Sequence, residues 1–263
     1  MERMKVNGVE LSFEHHGRGT PVLLVHGFPL SSALWQSVIS PLAKRHWVIA
    51  PDLRGMGQSE ATADASMETY ADDLSGLLDG LGSKEPVALV GLSMGGYIAF
   101  EFFRRNRDRV RAMVLADTRA EADTPEAAKA RLETAEKVLR EGSGVVVDAM
   151  TPKLFAKSAS KALVEQWRAI MLATKPMGVA AALRAMSARA DSTNTLPEIR
   201  VPALVLVGEE DAITPPATAR TMHAGIAGSQ IKLIPDCGHM SPVEKPEQFA
   251  RICGEFLHGA IGS

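Results

Sequence analysis

The pentapeptide at residues 91–95 constrains the fold more than any other part of this sequence. It reads Gly-Leu-Ser-Met-Gly, follows the apolar run 86–90 and precedes the helix-like stretch 96–103. A short apolar run bounded by glycine is typical of a buried strand. A serine between two glycines at a strand-to-helix turn has the pattern of a nucleophile elbow, although the five residues alone also fit an ordinary turn. The pattern predicts that Ser93 lies in a strained turn with its hydroxyl in an open site.

Strand-like and helix-like segments alternate on both sides of this pentapeptide. Apolar runs typical of buried strands occur at 22–25, 47–50, 110–116 and 203–207, and a further strand is predicted at 231–234. The apolar residues between 67 and 81 follow helical spacing. Alternation of apolar strands with helices predicts an α/β fold whose mostly parallel sheet is covered by helices on both faces.

The alternation stops after Asp117. Residues 120–191 contain helix signals and no convincing strand, and Thr124 followed by Pro125 is a typical helix start. The sequence therefore predicts a core formed by residues 1–119 and 192–263, interrupted by a helical insertion at 120–191.

Composition excludes several classes of function. The net charge of the 263 residues is −2, with no long block of like charge, which argues against a nucleic-acid partner or a polybasic membrane contact. Only two cysteines occur, Cys237 and Cys253, so no disulfide framework is expected. No stretch is apolar for long enough to span a bilayer, and the first residues lack an apolar signal region. We expect a cytoplasmic protein without a membrane partner.

A serine hydroxyl needs a base within hydrogen-bond reach, and the base needs an orienting group. Parallel strands present such groups at the edge where they end. Asp211 follows the strand 203–207 and His239 follows the strand 231–234. We assign Ser93 as nucleophile, His239 as general base and then acid, and Asp211 as the orienting carboxylate. Glu209 and Glu210 remain rival candidates for the acid.

The loop after the first buried strand contains the second element of such a site. It reads His-Gly-Phe-Pro at 26–29. A backbone N–H from this loop and the N–H of the residue after the nucleophile would form an oxyanion hole, and we assign these donors to Phe28 and Met94. His26 would then shape the loop. No metal-ligand spacing and no Gly-rich dinucleotide fingerprint occur, so neither a metal nor a cofactor is expected.

Taken together, the motifs resemble those of the α/β-hydrolase superfamily over nearly the whole chain. The matching segments are 26–29, 52–59, 91–95, 208–211 and 238–240, with Ser, acid and His in the family's order. The resemblance implies that the insertion 120–191 is a cap over the site. Within the superfamily, the sequence most resembles small carboxylesterases, enol-lactonases and cofactor-free haloperoxidases or perhydrolases. Pro29 after Phe28 resembles the perhydrolase form of the loop, but it also fits an ordinary loop proline.

The expected function is hydrolysis of a small-molecule ester or lactone. We predict cleavage of carboxylic esters through an acyl-enzyme, with a perhydrolase, a haloperoxidase or an enol-lactonase using the same three residues as the alternative. A ligand sensor that kept the fold and lost turnover is a third hypothesis. Candidate substrate contacts are Pro29, Trp167, Met171 and Met240. The apolar residues of the insertion among them also fit its core.

Overall fold

The structure is a computed structural model and describes residues 1–261, so the last two residues of the predicted core segment 192–263 lie outside the described residues. The strands are β1 (Glu2–Val6), β2 (Val9–His16), β3 (Pro21–Val25), β4 (Trp47–Pro51), β5 (Val87–Leu92), β6 (Val110–Ala116), β7 (Ala203–Gly208) and β8 (Gln230–Ile234). The helices are α1 (Gln36–Ala43), α2 (Met67–Gly80), α3 (Met94–Arg105), α4 (Pro125–Glu141), α5 (Gly144–Leu154), α6 (Lys161–Leu172), α7 (Pro176–Ser187), α8 (Pro216–Gly225), α9 (Ser241–Glu244) and α10 (Pro246–Ile261). Short 3₁₀ helices occur at Ser32–Trp35, Arg107–Arg109 and Thr193–Glu198.

The eight strands form one sheet in the order β1-β2-β4-β3-β5-β6-β7-β8. The pairs β1–β2 and β2–β4 are antiparallel, and every other neighbouring pair is parallel. The predicted α/β fold with a mostly parallel sheet is therefore confirmed.

Helices cover both faces of this sheet. Leu23 and Leu89 pack into one apolar cluster with residues of α2 and α3. Val22 and Val90, their neighbours along the strands, pack into a second cluster with residues of α1 and α10. Successive side chains of a strand point to opposite faces, so strands covered on both faces must be apolar throughout. All residues of β3, β5 and β7 are buried, which explains the continuous apolar runs in the sequence.

The strand register brings the carboxyl ends of β5 to β8 to one edge. Leu92 lies opposite Ala116, Ala116 lies opposite Leu206, and Gly208 lies opposite Ile234. The chain leaves the sheet just after these positions. The segments that begin at residues 93, 117, 209 and 235 therefore start at a common edge.

Four helices, α4 to α7, fill the chain between β6 and β7, and residues 120–191 contain no strand. The division of the chain into a core and an inserted cap stays a prediction. Helix α7 meets the core at a close backbone contact, where a Cβ added at Gly178 would lie 1.9 Å from the carbonyl oxygen of Gly55. Only a residue without a Cβ fits this approach.

Within residues 1–261, no single helix combines the length and apolar character that crossing a membrane requires. The adjacent helices α6 and α7 meet those two criteria only when taken together, and they are bent by 94° relative to each other.

The substitution Gly178→Ala should destabilise the protein by about 1–3 kcal/mol, because the new methyl group would push α7 away from the Gly55 carbonyl. Urea unfolding followed by circular dichroism measures this change. Gly259→Ala is the matched control, since no heavy atom lies within 4 Å of its added Cβ. Equal unfolding free energies for the two variants would contradict the contact.

Candidate active site

Ser93 lies in the turn between β5 and α3 with φ 56° and ψ −116°. A non-glycine residue in this region carries backbone strain of about 1–3 kcal/mol. The turn is closed tightly, since a Cβ added at Gly91 would lie 2.4 Å from the carbonyl oxygen of Gly95. A Cβ added at Gly95 would lie 2.1 Å from the carbonyl oxygen of Val25. Both glycines of the pentapeptide are therefore needed for steric reasons.

The neighbouring strand end holds this turn in place. The Ser93 N–H donates to the carbonyl of Ala116 at 3.0 Å, and the Thr118 hydroxyl donates to the Ser93 carbonyl at 2.7 Å. The N–H groups at the start of α3 have no acceptor within the helix, and Met94 is its first residue. The Met94 N–H thus belongs to the positive end of the helix dipole, beside the serine.

An ion pair between His239 and Asp211 lies at the ends of β8 and β7. The distance from His239 Nδ1 to Asp211 Oδ2 is 2.8 Å, and both side chains are almost fully buried. The Thr214 hydroxyl donates to the same carboxylate oxygen at 2.6 Å. The backbone N–H groups of Ile213 and Thr214 each donate to Asp211 Oδ1 at 2.8 Å. The carboxylate is therefore held by several donors, as a buried charge requires.

The rival carboxylates occupy different positions. Glu209 and Glu210 are both exposed, and Glu210 accepts a hydrogen bond from the backbone N–H of Lys157 at 3.1 Å. Of the three acids in this loop, Asp211 is the one that contacts the imidazole.

Electrostatics in the pair favour the charged forms of both groups. Burial lowers the pKa of His239, but the charge of Asp211 and its hydrogen bond outweigh burial and leave that pKa raised. Burial raises the pKa of Asp211, but the charge of His239 and the bonds from His239 and Thr214 leave it lowered. Arg119 opposes protonation of the imidazole by its positive charge. The site therefore stabilises an imidazolium beside a carboxylate.

The second ring nitrogen of His239 remains for a further partner. Both hydrogen bonds of the imidazole involve Nδ1, one to Asp211 and one at 3.3 Å to the Thr214 hydroxyl. Within residues 1–261, no hydrogen bond joins the Ser93 hydroxyl to this ring. Such bonds are often long until substrate is bound. The link between Ser93 and His239 therefore stays a prediction.

Asp117, which the sequence reasoning missed, supports the same edge. It follows β6 directly, is fully buried and has φ 45°. Its Oδ1 accepts from the Gly208 N–H at 2.9 Å, and its Oδ2 accepts from the Ser241 hydroxyl. Burial and the nearby charge of Asp211 raise the pKa of Asp117 to about 8. The available signal was an acidic residue directly after an apolar strand at the edge that carries the serine.

The predicted oxyanion loop lies against the serine turn. A Cβ added at Gly27 would lie 3.1 Å from Ser93 Cβ. His26 is fully buried, with Nδ1 at 2.8 Å from the Gly27 carbonyl and Nε2 accepting from the Leu53 N–H at 3.0 Å. These partners require a neutral ring with the proton on Nδ1, and burial lowers the pKa of His26 accordingly. The two ring nitrogens of His26 thus hold the loop before Phe28 in place, one within the loop and one against Leu53.

A pocket of 510 Å³ opens beside the ring of Phe28, between α4, α5 and α7. Its walls are mainly apolar and carry two cationic side chains; they are formed by Phe28, Ala127, Ala130, Arg131, Thr134, Lys137, Val145, Val146, Ala149, Met150 and Leu183.

The four predicted substrate contacts lie outside the lining of this pocket. Trp167, Met171 and Met240 are buried together in the apolar cluster that also contains Leu154. The carbonyl of Pro29 accepts a hydrogen bond from the Thr174 hydroxyl at 3.0 Å. A role for these four residues in binding substrate stays a prediction.

Comparison with known proteins identifies the family. The alpha/beta hydrolase fold family matches residues 20–246, so the chain belongs to that family. The chain is 44% identical to a thermophilic esterase from Thermogutta terrifontis, with a TM-score of 0.97 over 99% of both chains. It is 29% identical to the enol-lactonase from Burkholderia xenovorans LB400, with a TM-score of 0.90 over 97% of this chain and 99% of that one. It is also 30% identical to 2-hydroxymuconate semialdehyde hydrolase of Pseudomonas sp. CF600, over 95% of this chain and 91% of the relative.

The substitution Asp211→Asn should lower the pKa of His239 below its ordinary value of about 6.5, because burial is then opposed only by the weaker effect of Asp117. In the unsubstituted protein the raised pKa contributes stability that is fully present below the unfolded pKa and is lost as the pH rises through the folded one. In the variant the sign reverses, and stability is lost as the pH falls. An NMR titration of the imidazole measures the shift. Glu209→Gln is the exposed control, and an unchanged His239 pKa in Asp211→Asn would contradict the pairing.

Proposed function

We propose that this protein is a serine hydrolase that cleaves carboxylic esters through an acyl-enzyme. The observation that carries the proposal is the buried 2.8 Å contact between His239 and Asp211, at the sheet edge from which the strained Ser93 turn also projects. A general base oriented by a carboxylate, next to an otherwise weak nucleophile, is the arrangement that acyl transfer requires.

In the proposed reaction, Ser93 Oγ attacks the carbonyl carbon while its proton passes to His239 Nε2. Asp211 stabilises the imidazolium that forms, consistent with the raised pKa of His239. The imidazolium then protonates the leaving alkoxide, and the C–O bond of the ester breaks to leave an acyl-serine. His239 next takes a proton from water, whose oxygen attacks the acyl carbon. Return of that proton to Ser93 Oγ releases the carboxylic acid.

The negative oxygen of each tetrahedral intermediate needs fixed donors. We assign these to the N–H groups of Phe28 and Met94, because the Phe28 loop lies against the Ser93 turn and Met94 begins α3. The Ser93 N–H is excluded as a donor, since the Ala116 carbonyl already accepts from it. Loss of one donor of this kind typically costs about 3 kcal/mol of transition-state stabilisation.

Helices α4 to α7 would serve as a cap that determines which substrates enter. Their apolar pocket shares Phe28 with the proposed oxyanion hole, so it would hold a part of the ester that lies on the far side of that residue. Small apolar side chains such as Ala130, Val145 and Val146 favour an uncharged group of moderate size. The two cationic side chains of the walls are paired with carboxylates, Arg131 with Asp123 and Lys137 with Glu141.

Lactone hydrolysis is the second candidate, favoured by the similarity to the Burkholderia enol-lactonase. The same three residues would open a cyclic ester, with the leaving oxygen tethered to the acyl group. Initial rates on p-nitrophenyl esters, on γ- and δ-lactones, and on acetate with hydrogen peroxide would separate ester, lactone and peracid chemistry. The predicted preference is for the open-chain esters.

The substitution Ser93→Ala should reduce kcat on p-nitrophenyl acetate by at least about ten-thousand-fold, because loss of the nucleophile removes the covalent route. The substitution should also abolish labelling by a fluorophosphonate probe. Ser40→Ala, at an exposed position of α1, is the matched control and should retain both properties. Turnover by Ser93→Ala within tenfold of the unsubstituted protein would overturn the mechanism, and ligand binding without multiple turnovers by the unsubstituted protein would favour a sensor.

A further inference from the structure

Glu244 stands at the end of α9, five residues after His239, and its carboxylate binds backbone on two sides. Oε1 accepts from the N–H of Gly238 at 3.0 Å and from the N–H of Met240 at 3.2 Å. These are the residues directly before and after His239. Oε2 accepts from the N–H of Ala156 at 2.8 Å. Ala156 belongs to the segment that joins α5 to α6.

The N–H of His239 reaches the last residue of α5, directly before this segment. It donates to the carbonyl of Leu154 at 2.9 Å. A Cβ added at Gly238 would lie 2.6 Å from the backbone nitrogen of Ala156, so the two stretches of backbone are in direct contact. The three consecutive N–H groups of residues 238–240 are thus used either on Glu244 or on residue 154. The backbone around His239 is fixed by the inserted helices as well as by its own strand.

The loop that carries Asp211 makes a similar contact with the chain between α5 and α6. Glu210, next to Asp211, accepts from the N–H of Lys157, one residue beyond Ala156. The segment 154–157 therefore contacts both loops that carry the buried ion pair. Glu210 is exposed, whereas Glu244 is partly buried, so the Glu244 contact is less screened by water.

The contacts of Glu244 with both stretches of backbone require a carboxylate at this position. Within residues 1–261, no Lys, Arg or His nitrogen lies within 4.0 Å of its carboxylate, which is therefore held by neutral backbone donors. Burial raises the pKa of Glu244, although its three backbone hydrogen bonds oppose that rise. Both carboxylate oxygens of Glu244 must accept hydrogen bonds if the two stretches of backbone are to stay joined. A glutamine amide has one accepting and one donating end, so it can satisfy either the Gly238 side or the Ala156 side, but not both.

We propose that Glu244 is a positioning residue that couples the segment between α5 and α6 to the imidazole of His239. Displacement of that segment would pull on Ala156 and, through the carboxylate, on the backbone on both sides of His239. The proposal rests on the proposed function, since it assigns to His239 the proton transfers described above. Its consequence is that the inserted helices set kcat as well as substrate affinity.

The test uses the full-length protein and p-nitrophenyl acetate, an ester with a minimal acyl group. Glu244→Gln should lower kcat by about tenfold or more, because misplacing a reacting group by about 1 Å can cost roughly a hundredfold. KM should stay within about twofold, since no binding group is removed.

Ala156→Pro tests the same connection from the other side. Proline removes the N–H that donates to Glu244, and Phe155, with φ −117° and ψ 151°, already has the conformation favoured before proline. We expect a fall in kcat of the same order as in Glu244→Gln. The double variant should be no slower than about the slower single variant, because both substitutions break one chain of contacts. Ala156→Gly, which keeps the donor, and Glu247→Gln, an exposed carboxylate of α10, are the controls and should retain kcat.

The outcomes separate coupling from a stabilising contact alone. Thermal unfolding shows whether each variant is folded at the assay temperature. Unchanged kcat in folded Glu244→Gln, a change in KM alone in Ala156→Pro, or additive losses in the double variant would each overturn the proposal. Fluorophosphonate labelling of the unsubstituted protein distinguishes this failure from that of the proposed function. Labelling at Ser93 with unaffected variants rejects the coupling only, whereas absence of labelling rejects the serine mechanism.

Discussion

Backbone crowding around the serine turn is the constraint on which the rest of the structure depends. The turn returns the chain from β5 into α3 within a space where the Gly91 and Gly95 positions admit no Cβ. The Ala116 carbonyl binds its N–H and so ties it to the next strand. Because neither glycine leaves room for the turn to shift, the start of α3, the Phe28 loop and the backbone of Ser93 have fixed positions relative to the sheet.

A second constraint comes from placing charge in an apolar interior. Asp211 and His239 are both buried, and the cost of removing them from water is offset by their mutual contact and by the donors of Ile213 and Thr214. Asp117 connects the two loops further, through Gly208 and Ser241. The same contacts that satisfy the buried charges also orient the imidazole, so one network would serve both stability and the proposed proton transfers.

Much of the fold and of the candidate site could be predicted from local patterns in the sequence. The apolar runs predicted the buried strands, and four helices lie in the stretch 120–191, where the sequence shows helix signals. Membership of the α/β-hydrolase family followed from five separated motifs in a fixed order, and the match over residues 20–246 confirms it. These inferences succeeded because strand burial and turn geometry impose residue types over short distances. The assignment of roles to Ser93, Asp211 and His239 remains a prediction for experiment.

By itself, the sequence determined the class of fold, the strained turn and the residue types capable of acyl transfer, because each depends on a short segment. Only the tertiary structure decided which of the three acids after β7 meets the imidazole, since Glu209, Glu210 and Asp211 are adjacent carboxylates in one loop. It also decided that Asp117 braces the loops and that Glu244 joins the His239 loop to Ala156. Such contacts link residues as many as 124 positions apart in the chain, and their geometry is set by the packing of whole elements against one another.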